Sequence, residues 1–483
     1  MLAGALAVPG FAPYGLFALP VLSLALLFWL WLRAARPAQA AWLGWLFGMG
    51  LFVSGVSWLY LALHEYGGMP AWLAWLALLL FAALISVPAA LAGYWQAQWS
   101  APLPLRSLLV LPALWTLAEW LRGLMFGGFP WLVFGYAQTP PSPLAGYAPL
   151  LGVYGVSLGV AVSAGLLLQT WQARGSRAGR AAWVGLFGIW LLGAALGRVH
   201  WTQPQGEPLK VALLQGNIAQ ELKFSEAALV DTLETYRRLA EGSDARLIIL
   251  PETALPLLRE QVPPAYHARL ADHARQHGSD ILIGAFEQED GRYYNSVYTL
   301  GSAASQHYRK DHLVPFGEFI PLRNVFGWLI NDVLHIPMSD LARGGPQQPP
   351  LAVAGQRVAV NICYEDAFGE EIIRALPDAS LLVNVSNDAW YGDSIAAAQH
   401  NQLSQLRALE SGRMVLRATN TGVTSVISVD GRVLAQLPQH QPGVLTATVQ
   451  GYLGATPYVL WGNVAALALV LALLAVAWRR RAP

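Results

Sequence analysis

A chain of 483 residues with a single cysteine concentrates any thiol chemistry at one position. That position is Cys363, in "RVAVNICYEDAFGE", directly before an aromatic residue and two acids. A nucleophilic thiol needs a neighbouring base or cation, because a free thiol with a pKa of about 8.5 is mostly protonated at neutral pH. Two groups of the right kind lie upstream, Glu252 in "LPETALP" and Lys310 in "YRKDHLVPFGEFIP". Taken singly, each has an ordinary reading: a small packed thiol after "VAVNI", a solvated Glu, a solvated Lys. One cysteine makes no internal disulfide, so cysteine usage leaves the redox compartment open.

All three residues fall at or just after the ends of short β-rich runs, where side chains from distant positions can converge. "LKVALLQGN", "ARLIILPE", "DILIGAF", "NSVYTL", "QRVAVNICYE", "SLLVNVSND" and "TSVISV" read as strands. Between them "SEAALVDTLETYRRLAEG", "PAYHARLADHARQHG" and "AAQHNQLSQLRALESG" read as helices, the first two closing on a C-cap Gly. Strands alternating with helices predict a layered α/β domain. With roughly 250 residues it can bury its own core.

The flanks are different. Hydrophobic residues make up 55% of the chain and charged residues 12%, with mean hydropathy +0.41. Soluble domains carry about 25% charged residues, so part of the chain belongs in a membrane. Net charge +1 gives no global field for nucleic acid or strongly acidic partners. Apolar windows run over Leu2–Pro13, Leu16–Leu32, Ala41–Leu63, Ala71–Trp95, Ser107–Leu124, Tyr147–Trp171, Ala181–Leu196 and Tyr458–Trp478. Spans need about 20 apolar residues, which predicts about eight helices with the first one short. It lacks a basic leader, which argues against a cleavable signal peptide. Arg33 and Arg36, Arg106, the group Arg174, Arg177 and Arg180, and Arg479 to Arg481 fall on alternate loops and the C-terminus. The positive-inside rule makes that side cytoplasmic and the segment from about Gln203 to Gly454 extracytoplasmic. The expected domains are transmembrane helices over 1–200, a catalytic domain over 208–450 and a last helix over 456–479.

These segments resemble the carbon-nitrogen hydrolase (nitrilase) superfamily, whose Glu, Lys and Cys occur in this order. Joined to the apolar helices, the chain resembles the apolipoprotein N-acyltransferase family. The likeness rests on "FAPYG", "WLRGLMFGGFPWLVFGY", "LPETALP", "KDHLVPFGEFIPL", "ICYED", "SNDAWYG" and "RALESGRMVLRATNTG". It implies an αββα sandwich beside a polytopic helical membrane domain, with Cys363 as nucleophile, Glu252 as general base and Lys310 as oxyanion stabiliser. A carboxylate alone would raise a neighbouring thiol's pKa, so the scheme requires the cation. Glu318 and Glu365 are expected to support the site, and the Tyr364 N–H to offer a second oxyanion donor.

The resemblance further implies transfer of an acyl chain from a phospholipid, chiefly phosphatidylethanolamine. It passes through a Cys363 thioester to the α-amine of an N-terminal diacylglyceryl-cysteine, at the bacterial inner membrane with a cytoplasmic C-terminus. No cofactor, metal or nucleic acid is called for. Rivals are a membrane-tethered amidase using water, which needs the same three residues, and a non-catalytic binding or transport protein. Phe224 stands where many family members carry a Trp, and it cannot supply an indole N–H. Phe326, Trp328, Leu329 and Ile330 in an apolar stretch, with Trp390, are candidate lid or substrate contacts, although the stretch reads equally as core.

Other patterns read more plainly. "GVSLG", Gly155 to Gly159, fits G-x-S-x-G but lies inside a span, where small-residue helix packing explains it. His273 and His277 read as a solvated face, and Asp366 and Glu370 as acids at a solvated helix start. Glu119 and Arg122, three apart in a span, are spaced to meet.

Overall fold

The computed structural model describes residues 1–223, 225–319 and 340–480. Phe224 and the stretch with Phe326, Trp328, Leu329 and Ile330 lie outside the described residues. The chain divides into two compact units: Met1–Tyr60 with Pro70–His200 and the chain from Thr456 onward, and Leu61–Met69 with Trp201–Ala455.

In the second unit the strands are β1 (Gln203–Gln215), β2 (Leu247–Ile249), β3 (Leu255–Leu258), β4 (Asp280–Glu289), β5 (Arg292–Gly301), β6 (His307–Arg309), β7 (Leu351–Val353), β8 (Gln356–Ile362), β9 (Leu381–Ser386), β10 (Val415–Thr419), β11 (Ser425–Ile427), β12 (Val433–Gln436) and β13 (Gly443–Leu453). One sheet runs β13-β1-β2-β4-β5-β6 with β3 beside β4, and the other β12-β11-β10-β9-β8-β7. The central pairs β1/β2/β4 and β8/β9/β10 are parallel, with antiparallel edges.

The layering follows from side-chain alternation. Val211 and Leu213 of β1 join Val358, Val360, Val383 and Leu416 in the core between the sheets. Ala212 and Leu214 point the other way, against Tyr236, Ala240, Leu270 and Ala274 of the helices Glu226–Glu241 and Pro264–His277. On the far side of the second sheet, Ala359 and Leu382 pack with Ile372 and Ala408. A strand covered on both faces reads as a continuous apolar run, which is why "KVALLQ" shows no polar alternation. The result is the expected αββα sandwich. Helix ends depart in detail: left-handed glycine caps occur at Gly278 and Gly412, whereas Gly242 keeps φ −74.

In the first unit, Ala71–Ala97, Pro143–Gln172 and Arg177–Leu196 are long and apolar enough to cross a membrane, and a pair bent by 56°, Pro37–Gly55 with Trp58–Tyr66, passes as one. Leu19–Arg33 and Val464–Arg479 are shorter apolar helices. Among the described residues the expected count of about eight is therefore met by length and composition in fewer cases. Pro20 sits at the first turn of Leu19–Arg33 and so trims its window. Pro9 and Pro13 limit the first window to the helix Leu2–Ala5 and one 3-10 turn.

Glu119 and Arg122 are buried and organise the loop that follows them. Glu119 accepts from the Phe134 N–H at 2.8 Å and from the Ser157 hydroxyl, while Arg122 donates to the carbonyls of Phe129 and Trp131. Ser157 of "GVSLG" thus holds a buried carboxylate, a role beyond helix packing.

Candidate active site

Glu252 lies three residues beyond the end of β2, Lys310 directly after β6, and Cys363 directly after β8. These are carboxyl ends of strands, where layered α/β folds open their ligand crevices. Gly284 of β4 lets the Glu252 turn pack closely, since a Cβ there would stand 2.2 Å from the Pro251 carbonyl oxygen.

The charged groups form one cluster, with Lys310 and Glu252 buried and Glu318 half-buried. Lys310 is 1% exposed, and its Nζ donates to Glu318 Oε1 at 2.8 Å and stands 3.5 Å from Glu252 Oε1. Asn295 of β5 bridges both carboxylates through Nδ2, at 2.7 Å to Glu252 and 3.2 Å to Glu318. Glu252 Oε2 accepts the Asn387 N–H at 2.9 Å, and Glu318 Oε2 the Val314 N–H at 2.8 Å. Fixed donors orient each carboxylate. Burial opposes the Lys310 charge, but Glu318 and Glu252 outweigh it and lift the ammonium well above its ordinary range. It is a permanent cation.

Cys363 is 8% exposed and adopts φ +55. A non-glycine residue in that region stores about 1–3 kcal/mol of strain, so its surroundings must over-determine it. Burial first, then the charge of Glu252, push the thiol well above its ordinary pKa, while Lys310 and the Ser386 hydroxyl oppose them. The Cys363 thiol is therefore protonated at rest, within the electrostatic reach of the Glu252 carboxylate.

Glu365 braces the loops that follow β6 and β8. Its Oε1 accepts the N–H groups of Asp311 at 2.7 Å and His312 at 3.0 Å, just after Lys310, and its Oε2 accepts the Ile362 N–H at 2.7 Å, just before Cys363. The Tyr308 hydroxyl donates to the same carboxylate at 3.0 Å. Burial raises Glu365 to about 7 against these donors. The Tyr364 ring packs against Phe368 and His312. Trp390 lies in the 3-10 turn Asp388–Tyr391, its ring meeting Tyr66 edge-on at 6.4 Å. Tyr66 belongs to Leu61–Met69, so this short stretch is part of the catalytic unit.

The structure therefore brings Glu252, Lys310, Cys363, Glu318 and Glu365 together. It corrects one expectation: Asp366 is buried and bonded to His400, Ser404 and Arg417 rather than lying at a solvated helix start, whereas Glu370 is exposed. Three participants were missed. Asn295 and Asn387 are polar residues in or beside strands that look like any turn-forming amide. Lys223, 3% exposed, donates to the Glu252 carbonyl at 3.2 Å, and burial pulls its ammonium down to about 8. Its only sequence signal is position, one residue before Phe224. Among the described residues no group of His, Cys, Asp and Glu is arranged to hold a metal ion.

Comparison with known proteins adds family information. The carbon-nitrogen hydrolase model matches residues 210–458, and the apolipoprotein N-acyltransferase N-terminal domain model matches residues 3–166. A Nitrosomonas europaea protein named apolipoprotein N-acyltransferase is 53% identical, covering 97% of this chain and 94% of its own. A Methylococcus capsulatus protein of the same name is 44% identical over 99% of this chain and 95% of its own. Among solved structures, a CN-hydrolase superfamily protein from Xanthomonas campestris covers 57% of this chain and 97% of its own, at 20% identity and a TM-score of 0.37.

Proposed function

The chain belongs to the apolipoprotein N-acyltransferase family, and from that premise we propose that this membrane protein moves an acyl chain from a phospholipid to the N-terminal amine of a diacylglyceryl-lipoprotein through a thioester on Cys363. The observation that carries the reading is the cluster of buried Glu252, Lys310 and Asn295 with half-buried Glu318 at the strand ends beside the strained Cys363.

In the first half-reaction the Cys363 sulfur attacks the ester carbonyl as its proton passes to Glu252. Charge building on the carbonyl oxygen is met by Lys310, with the Tyr364 N–H as second donor. The tetrahedral adduct expels the lysophospholipid alkoxide, which takes the proton back from Glu252. In the second half-reaction the neutral α-amine attacks the thioester, Glu252 accepts the amine proton, and the sulfur leaves and is reprotonated. A permanent Lys310 cation stabilises both tetrahedral adducts equally, so one site serves both halves. Glu318 holds Lys310, and Glu365 fixes the separation of the two loops.

Phosphatidylethanolamine is the proposed donor, on family grounds. The helices over 1–200 and 456–479 anchor the enzyme in the bacterial inner membrane. The alternating Arg loops support a catalytic domain, 208–450, outside the cytoplasm and a C-terminus inside. This puts the thiol on the side where both lipid-anchored substrates are found.

Product analysis tests the function. Purified enzyme in phosphatidylethanolamine-containing nanodiscs, given a diacylglyceryl lipopeptide with a free N-terminus, should yield triacylated peptide and lysophospholipid in equal amounts. Free fatty acid as the main product would replace the transferase by a membrane-tethered hydrolase.

A further inference from the structure

Behind Cys363 lies a second charged cluster that the reaction does not use directly. His400, on the helix Ala396–Ser411, is 1% exposed and sits between two aspartates: Nδ1 is 2.8 Å from Asp388 Oδ1, and Nε2 is 3.0 Å from Asp366 Oδ1 and 3.2 Å from the Cys363 carbonyl oxygen. Arg417 of β10 donates from NH2 to Asp388 Oδ2 at 2.9 Å and from NH1 to Asp366 Oδ2 at 3.1 Å. Asn384 of β9 donates to the Cys363 carbonyl at 3.1 Å, and Ser386 and Ser404 donate to Asp388 and Asp366. Gly422 closes the cluster, since a Cβ there would stand 2.3 Å from Asp388 Oδ2.

Both ring nitrogens of His400 face oxygen acceptors. A neutral imidazole donates from only one nitrogen, so this arrangement calls for the doubly protonated ring. Two carboxylates then balance two cations. The charge states agree: burial and Arg417 work against the His400 charge, but Asp366 and Asp388 hold it up to about 9, and His400 and Arg417 keep Asp388 well below the usual carboxylate range despite burial. Asp388 is also one of the negative charges that push the Cys363 thiol up, so its neutralisation bears on the nucleophile.

We propose that Asp366, Asp388, His400 and Arg417 form a buried, charge-balanced clamp: the His400 imidazolium, with Asn384, holds the Cys363 carbonyl and so aims the thiol, and the clamp's neutrality keeps uncompensated negative charge away from the sulfur. His400 is thus a positioning residue for the acyl transfer. The inference rests on Cys363 being the nucleophile. It explains how a non-glycine residue is kept at φ +55 next to the reacting atom: its carbonyl is gripped from two elements at once.

The test reads the thiol itself, without substrate. Iodoacetamide alkylation of Cys363 is followed against pH in the full-length detergent-solubilised enzyme for wild type, His400→Gln, Asp388→Asn and the double variant. Removing the imidazolium leaves one net negative charge, so H400Q should move the profile to higher pH by about one unit, a roughly tenfold slower alkylation at pH 7.5. D388N leaves one net positive charge and should move the profile the opposite way. The double variant restores neutrality and should lie between the two. Acyl-enzyme formation in H400Q should fall about tenfold or more with the phospholipid KM within about twofold, as expected of a group that does not touch substrate.

Single variants that shift the profile in the same direction, or an H400Q profile and acylation rate matching wild type, would overturn the clamp. Should H400Q not fold, D388N alone still tests the clamp, since an alkylation profile unchanged from or above the wild type would overturn it. Imidazole hydrogen–deuterium exchange by mass spectrometry on the wild type supplies a further arm: a His400 midpoint above about 8 supports the clamp, and one below about 7 overturns it. A wild type that alkylates normally yet never forms an acyl-enzyme would refute the nucleophile assignment instead.

Discussion

Asn295 is the residue whose removal tests the geometry of the base most cleanly. Its Nδ2 donates to Glu252 Oε1 at 2.7 Å, and with it gone that oxygen keeps the Lys310 Nζ at 3.5 Å, while Oε2 keeps the Asn387 N–H. A hydrogen bond to a charged group contributes about 1.5–3 kcal/mol. At about 1.4 kcal/mol per factor of ten, acylation should slow by ~10- to ~150-fold. The longer contact to Glu318, at 3.2 Å, adds less because Glu318 already accepts from Lys310 and Val314. Asn295→Ala opens space in which a water can replace the donor, so it should fall at the low end. Asn295→Leu fills that space with carbon and should fall at the high end. The β5–β6 backbone bonds are untouched by either change. Rapid-quench mixing with phospholipid, read as the acylated fraction of intact protein by mass, gives the rate constant directly. N295L within twofold of wild type, or a raised phospholipid KM with kcat intact, would show that Asn295 does not orient the base.

Three further outcomes follow from the same geometry. Lys310→Met leaves Glu252 and Glu318 facing one another without the cation between them, which should cost about 3–5 kcal/mol and abolish the acyl adduct; a detectable single-turnover adduct at a tenth of the wild-type rate would contradict the oxyanion role. Glu365, raised to about 7 by burial, stabilises the fold most below the ordinary carboxylate range and loses that contribution as pH rises through 7. Melting temperature should therefore fall between pH 5.5 and 7.5 in wild type and change less in Glu365→Gln, a variant that should also lose about tenfold or more in activity through the loosened loops. Burial holds Lys223 near 8, so it is charged at pH 7 and neutral by pH 9; the wild-type acylation rate should drop across that range, and Lys223→Met should lack the drop.

The convergence of Glu252, Lys310 and Cys363 was legible in the sequence because each sits in an ordered motif, and the strands that carry them alternate or run apolar as buried strands do. Glu318 and Glu365 were legible for the same reason. What stayed hidden was polar and buried. Asn295 sits in "YYNSVYTL", where strand periodicity gives an amide no sign of its partners. His400, Asp388 and Arg417 lie on three different elements, and nothing in their spacing shows that they meet behind Cys363. Asp366 was misread because an acid after a strand end resembles a helix start, and only the packing of Arg417 and His400 against it shows why it is buried. In the first unit, hydropathy located the apolar windows, while prolines shortened the first two of them.

The central claim is that Cys363 carries the acyl group between two substrates. Intact-mass analysis of the wild-type enzyme mixed with phospholipid and no acceptor tests it most directly. A single acyl mass should appear on the peptide holding Cys363, disappear on adding the diacylglyceryl lipopeptide at a rate no slower than turnover, and be absent from Cys363→Ala. Sustained acylation of the lipopeptide by Cys363→Ala, or turnover without any adduct in the wild type, would contradict the account.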